Sequence, residues 1–99
     1  MEYYYEWDIN KEQSNVIKHG IEFAEARTVF KDIFRITRFD EGHSDEEERL
    51  LTLGYSINSR VLLVVHTEWE QDENNGIIRI ISCRKATAAE RRNYERKNR

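Results

Sequence analysis

The stretch from Val61 to Arg96 constrains the fold more than any other part of this 99-residue chain. Val61-Leu62-Leu63-Val64-Val65 is an unbroken apolar run, and its brevity and β-branched content predict a core strand rather than a buried helix. Asn75-Gly76 is a strong turn signal, although the connection from Glu70 to Gly76 is longer than the two-residue ideal. Ile77 to Arg84 then reads as a second strand. Thr87-Ala88-Ala89-Glu90 has the form of a capping box and predicts a helix starting there. Ionisable residues interrupt both strands: His66 and Glu68 in the first, Arg79 and Arg84 in the second, with Lys85 next in line.

The residues before this stretch read as its support. Tyr3-Tyr4-Tyr5-Glu6-Trp7 is a short aromatic strand, whose rings suit packing at a core or an edge better than base stacking. Asp8 stands where an N-cap belongs, so a helix is expected from Ile9 to His19, ended by Gly20 in a left-handed cap. Asn15, Lys18 and His19 share one face of it. Val16 and Ile17 point elsewhere, which makes this a thinly apolar helix. A second helix is expected from Glu22 to Phe30, with Phe23, Ala26 and Phe30 as its core stripe. Phe34 to Phe39 alternates as an edge strand, and Asp40 to Asp45 is loop by composition. Arg49 to Ser56 is a strand with Leu51, Leu53 and Tyr55 on one face.

The expected fold is therefore α+β, in one domain spanning residues 1–99. A small antiparallel sheet, a four-stranded meander with a short N-terminal strand beside it, is packed by two N-terminal helices and a basic C-terminal helix. On the Val61 strand, Val61, Leu63, Val65, Thr67 and Trp69 are taken as the core face, which leaves His66 and Glu68 on the other. On the next strand Arg79 and Lys85 share one parity and Arg84 has the other.

Charge divides the chain. From Arg79 to Arg99 there are eight Lys/Arg against two Glu, a net of +6, which leaves −9 on the residues before it. Much of that acid lies in Asp40-Glu41 and in Asp45 to Glu48. Such a split provides one surface for a polyanion and another that repels it or meets a basic partner. Cys83 is the single cysteine, so an internal disulfide is excluded, and a reducing cytoplasmic setting is expected. No run approaches transmembrane length. His19, His43 and His66 are far apart and show no metal-ligand spacing, so no metal or cofactor is expected. Glycine-rich phosphate loops and serine-nucleophile motifs are absent.

What remains is a histidine, a carboxylate and several cations on neighbouring strands. RNA cleavage needs little more. The 2′-hydroxyl must lose a proton, the phosphorane carries added negative charge, and the leaving 5′-oxygen must gain a proton. The same residues also fit a structural account, with Arg79 and Glu68 a cross-strand surface pair and His66 a satisfied strand histidine. The residues alone leave both open.

The ordered set of motifs resembles the BrnT family, the ribonuclease toxins of BrnT/BrnA type II toxin–antitoxin systems. Glu6-Trp7-Asp8, Asn15 to Phe23, and Ala26 to Phe30 carry the N-terminal part of it. His43-Ser44 with the acidic run into Arg49, Val64 to Glu68, Ile78 to Thr87 and Glu90-Arg91-Arg92 carry the rest. Cys83, where alanine is expected, and the long Glu70–Asn75 loop are departures. The resemblance implies a RelE-like fold, metal-independent RNA cleavage that inhibits translation, and neutralisation by a BrnA-like antitoxin, with room for a homodimer inside that complex. It maps the active region to Lys18, His19, His66, Glu68, Arg79, Arg84 and Lys85, with Arg91 and Arg92 touching RNA. Glu68 or His66 would handle the proton, and Arg79, Arg84 and Lys85 would hold the phosphate.

Overall fold

The computed structural model describes residues 1–42 and 48–98. His43 to Glu47 and Arg99 lie outside it, and with them most of the acidic run. The chain runs β1 (Glu2–Glu6), α1 (Ile9–His19), α2 (Phe23–Thr28), a 3₁₀ turn (Val29–Lys31), β2 (Ile36–Phe39), β3 (Leu50–Tyr55), β4 (Val61–Glu70), β5 (Asn75–Lys85) and α3 (Ala88–Lys97). No described helix is long and apolar enough to cross a membrane.

Local chemistry sets the helices. Asp8 Oδ1 accepts the amides of Asn10 at 2.7 Å and Lys11 at 3.2 Å, satisfying donors that no helical carbonyl reaches. Gly20, at φ 70°, ends α1 and donates to Val16 O, a left-handed cap that glycine adopts without a Cβ clash. The α2 helix has no capping side chain of its own. Glu12 of α1 serves instead, accepting the Phe23 amide at 2.9 Å. Thr87 and Glu90 form the full capping box that starts α3.

The strands order β1-β5-β4-β3-β2. From β2 to β5 this is the antiparallel meander expected. Its other edge differs: β1 pairs with β5 in parallel, Glu2 against Asn75 through Glu6 against Arg79, so the sheet is mixed and five-stranded. Nothing in the sequence near Tyr3 could set that direction, because two helices and three strands separate the partners. The α2 helix also stops two residues short of Phe30, tightening into the 3₁₀ turn.

Helices cover both faces of the sheet, which corrects the expected core. Leu62, Val64, Ile78, Ile80 and Cys83 pack with Ile21, Phe23, Ala26 and Val29 under α2 and the 3₁₀ turn. Val61, Leu63 and Leu53 form a second core under α3, closed by Tyr94. Both parities of the Val61 run are therefore buried, and alternation had no open face to mark.

Two carboxylates, Glu25 buried and Asp32 half-buried, pin the layers. Glu25 of α2 takes a bidentate grip from Arg60, at 2.6 and 2.8 Å, and a 2.6 Å bond from Ser56 Oγ. The Arg60 guanidinium beside it holds its carboxyl at about 2, against the opposing pull of burial. Asp32 accepts the Tyr55 and Phe34 amides and the Tyr94 hydroxyl, so one side chain ties β3 to α3. A Cβ on Gly54 would stand 2.8 Å from Val29 Cγ1, and this close approach seats the 3₁₀ turn on the sheet.

Candidate functional site

A bulge decides which side chains of β5 stand together. Val65 pairs with Ser82 but His66 pairs with Ile80, so Ile81 is left without a partner on β4. Parity flips across it. Arg79, opposite Thr67, and Arg84, opposite Leu63, consequently fall on one sheet face, the one covered by α3. Lys85, opposite Leu62, goes to the other. The parity reading had grouped Arg79 with Lys85, and the bulge reverses it.

This α3 side is the arginine side. Arg79 lies 3.5 Å from Glu6 of β1, with both side chains partly open to solvent. Arg84 makes a bidentate pair with Glu90, at 2.8 and 3.0 Å, and that guanidinium holds the Glu90 carboxyl at about 2. Arg38, opposite Leu51 on β2, shares the face and lines a cleft of about 200 Å³ with Leu63, Glu90, Asn93 and Lys97. Sequence reading missed Arg38, because its face follows from pairing with Leu51 and not from local pattern. Arg91 and Arg92 are exposed on α3, and Arg92 lines a second cleft with Ala89, Glu95 and Arg96.

Next to this face lies a groove of about 490 Å³ between α1 and the bulge, bordered by Lys11, Ser14, Lys18, His19, Ile81 and Ser82. It exists because β1 stops opposite Arg79 and leaves the rest of the β5 edge without a strand neighbour. The Asn15 side chain substitutes for one. Its Oδ1 accepts the Cys83 amide at 3.0 Å and its Nδ2 donates to Cys83 O at 2.9 Å and Ile21 O at 3.0 Å. Lys18 and His19, three and four positions on, follow Asn15 to the same side. The expected face of α1 is thus real, and Ser82 joins it to the strand that carries the arginines.

His66 and Glu68 are not part of this assembly. His66 is fully buried under α2. Its Nε2 is 2.7 Å from Thr52 Oγ1, and the Phe30 ring meets it edge-on at 4.8 Å. Among the described residues Nδ1 has no hydrogen-bond partner. Burial pushes its pKa down to about 4, against a smaller pull from the Thr67 backbone. Glu68 is exposed on the same side, opposite Ile78. The cross-strand pair expected between Glu68 and Arg79 does not form, since they occupy opposite faces; Arg79 meets Glu6 instead. Cys83 is buried as expected, and burial pushes its thiol up to about 12. Among the described residues no three His, Cys, Asp or Glu side chains converge.

Chemically, the α3 face offers guanidinium donors to a phosphate. The adjoining groove offers an imidazole, His19, beside the Lys18 ammonium.

Comparison with known proteins matches the chain to one family. The model described as "Ribonuclease toxin, BrnT, of type II toxin-antitoxin system" covers residues 7–90. No curated protein matches the chain. Among solved structures, the Brucella abortus ribonuclease toxin BrnT superposes with a TM-score of 0.58 at 21% identity, over 88% of this chain and 99% of that one. At that identity the likeness is one of fold.

Proposed function

The chain belongs to the BrnT family of ribonuclease toxins of type II toxin–antitoxin systems, and from that membership we propose that it is an endoribonuclease that cuts RNA without a metal, inhibits translation and is neutralised by a BrnA-like antitoxin. The observation that carries the reading is the bulge at Ile81, which turns Arg79 and Arg84 to one face beside the groove of Lys18 and His19. In this scheme the 2′-oxygen attacks phosphorus, the bond to the 5′-oxygen breaks, and a 2′,3′-cyclic phosphate and a 5′-hydroxyl result. A base removes the 2′-hydroxyl proton and an acid supplies one to the leaving oxygen. Arg79 and Arg84 stabilise the charge that accumulates between. The burial of His66 favours His19 as a proton-moving group, with Lys18 beside it on the phosphate. Arg91 and Arg92 extend the cationic surface along α3.

The test is cleavage of a defined RNA by purified protein in excess EDTA, with the ends mapped. Cyclic-phosphate ends are expected. Arg79→Ala should lower the rate by about 10²–10³-fold while circular dichroism stays native. Undiminished cleavage by folded Arg79→Ala would remove this site from the reaction. A second reading, RNA binding without cleavage, is favoured by the carboxylates already held by both arginines, Glu6 and Glu90. Saturable binding of RNA that remains intact would select it.

A further inference from the structure

The α1 helix is turned the wrong way for one that covers a sheet. Its one buried residue is Asn15. Its three aliphatic side chains face water instead: Ile9 is 59% exposed, Val16 38% and Ile17 88%. Ile9, Val16 and Ile17 stand at i, i+7 and i+8, so they form one apolar stripe along the outer side. Such a stripe does nothing for this domain's own core. Contiguous outward-facing apolar surface bordered by polar groups is the ordinary mark of a protein contact.

Beside the stripe, between α1 and the start of α2, runs a groove of about 590 Å³ lined by Glu12, Gln13, Val16, Ile17 and Glu22. Its wall is firm, because Glu12 is bonded to the Phe23 amide. No Lys or Arg lines it. The surface is therefore apolar at the centre and acidic at the rim. A second copy of this chain would bring carboxylates against carboxylates. An occupant that matches carries aliphatic side chains flanked by Lys or Arg.

We infer that the antitoxin docks here, through an amphipathic segment whose apolar side covers Val16 and Ile17 and whose cations meet Glu12 and Glu22. The inference rests on the toxin reading above, which supplies the partner. It also supplies a means of neutralisation. Ile17 is followed directly by Lys18 and His19, so the last turn of α1 presents the docking stripe on one side and the RNA groove on the next. A partner seated on Ile17 stands at the mouth of that groove and excludes RNA from it.

The experiment titrates purified toxin with a purified BrnA-like antitoxin, by isothermal calorimetry. The variants are Val16→Gln/Ile17→Gln and, separately, Glu22→Lys. All three side chains are exposed, and Glu22 makes no capping bond, so the fold is retained, as thermal denaturation would verify. The double variant should bind about 100-fold more weakly. Glu22→Lys should bind about 10-fold more weakly, with less dependence on salt. Both should cleave RNA at the wild-type rate when free, and the double variant should escape suppression by antitoxin. Wild-type affinity in the double variant overturns the inference. So does sedimentation that finds the wild type dimeric and the double variant monomeric, which would give the stripe to a second copy. Loss of antitoxin binding in a protein that never cleaves RNA would keep the docking site and remove the ribonuclease.

Discussion

His66 shows how one residue can invert its apparent meaning. In the sequence it interrupts an apolar strand beside an acid, which resembles chemistry. In the fold it is a neutral imidazole sealed between Phe30 and Thr52. Its pKa of about 4 lies below the ordinary 6.5, so between those values the unfolded chain binds a proton that the folded one refuses. Stability is then complete above pH 6.5 and falls as pH drops toward 4, by about 3 kcal/mol in all. Urea denaturation at pH 7 and pH 4.5 should show most of that loss in the wild type and much less in His66→Gln. Glu25 and Glu90, held at about 2, lose their contribution in a lower window, from 4.5 down to 2, so the two effects separate. Asn15 is the converse case. It looks like an ordinary helix-surface amide, yet two of its bonds close the β5 edge at Cys83 and a third holds Ile21, and leaving the Cys83 backbone groups buried without partners would cost about 1–3 kcal/mol apiece.

Elements governed by neighbouring residues were legible in the sequence. Asp8, Gly20 and the Thr87–Glu90 box mark the helices they cap, because capping satisfies backbone groups within a turn. The four meander strands were legible for the same reason: alternation and turn residues act locally. What the sequence hid is non-local. The parallel β1–β5 pairing joins the two ends of the chain, and the bulge at Ile81 appears only when β4 is laid against β5. The candidate site inherits this limit. Arg79, Arg84, Lys18 and His19 were identifiable as residues, but Arg38 and the separation of His66 and Glu68 were not. The α3 helix adds a test of its own. Glu90 both caps the helix and occupies Arg84, so on the proposed reading it trades RNA contact for stability. Glu90→Gln should lower unfolding free energy by about 1 kcal/mol yet tighten RNA binding about three- to tenfold as Arg84 is released. Fluorescence anisotropy with a labelled RNA would read the gain, and an unchanged affinity would mean that Arg84 does not meet RNA.

Across the whole molecule, the sheet is a partition. The acidic groove of α1 and α2 lies to one side, and the arginine face with α3 lies to the other. RNA binding on the arginine side should weaken linearly in log–log plots against salt, and Arg79→Ala should reduce the slope by about 0.7; an identical slope would take Arg79 off the phosphate path. The pairing of β1 with β5 has a further consequence, in the order of synthesis. The first strand leaves the ribosome with no partner, and the residue that closes the groove, Asn15, waits for a strand 68 positions further on. Contacts of such long range form late, after the loop between them has closed. On the proposed reading, a nascent chain cut short before Gly76 lacks Arg79, Arg84 and the β5 wall of the groove, so it gains the means to cut RNA only once β5 has been made.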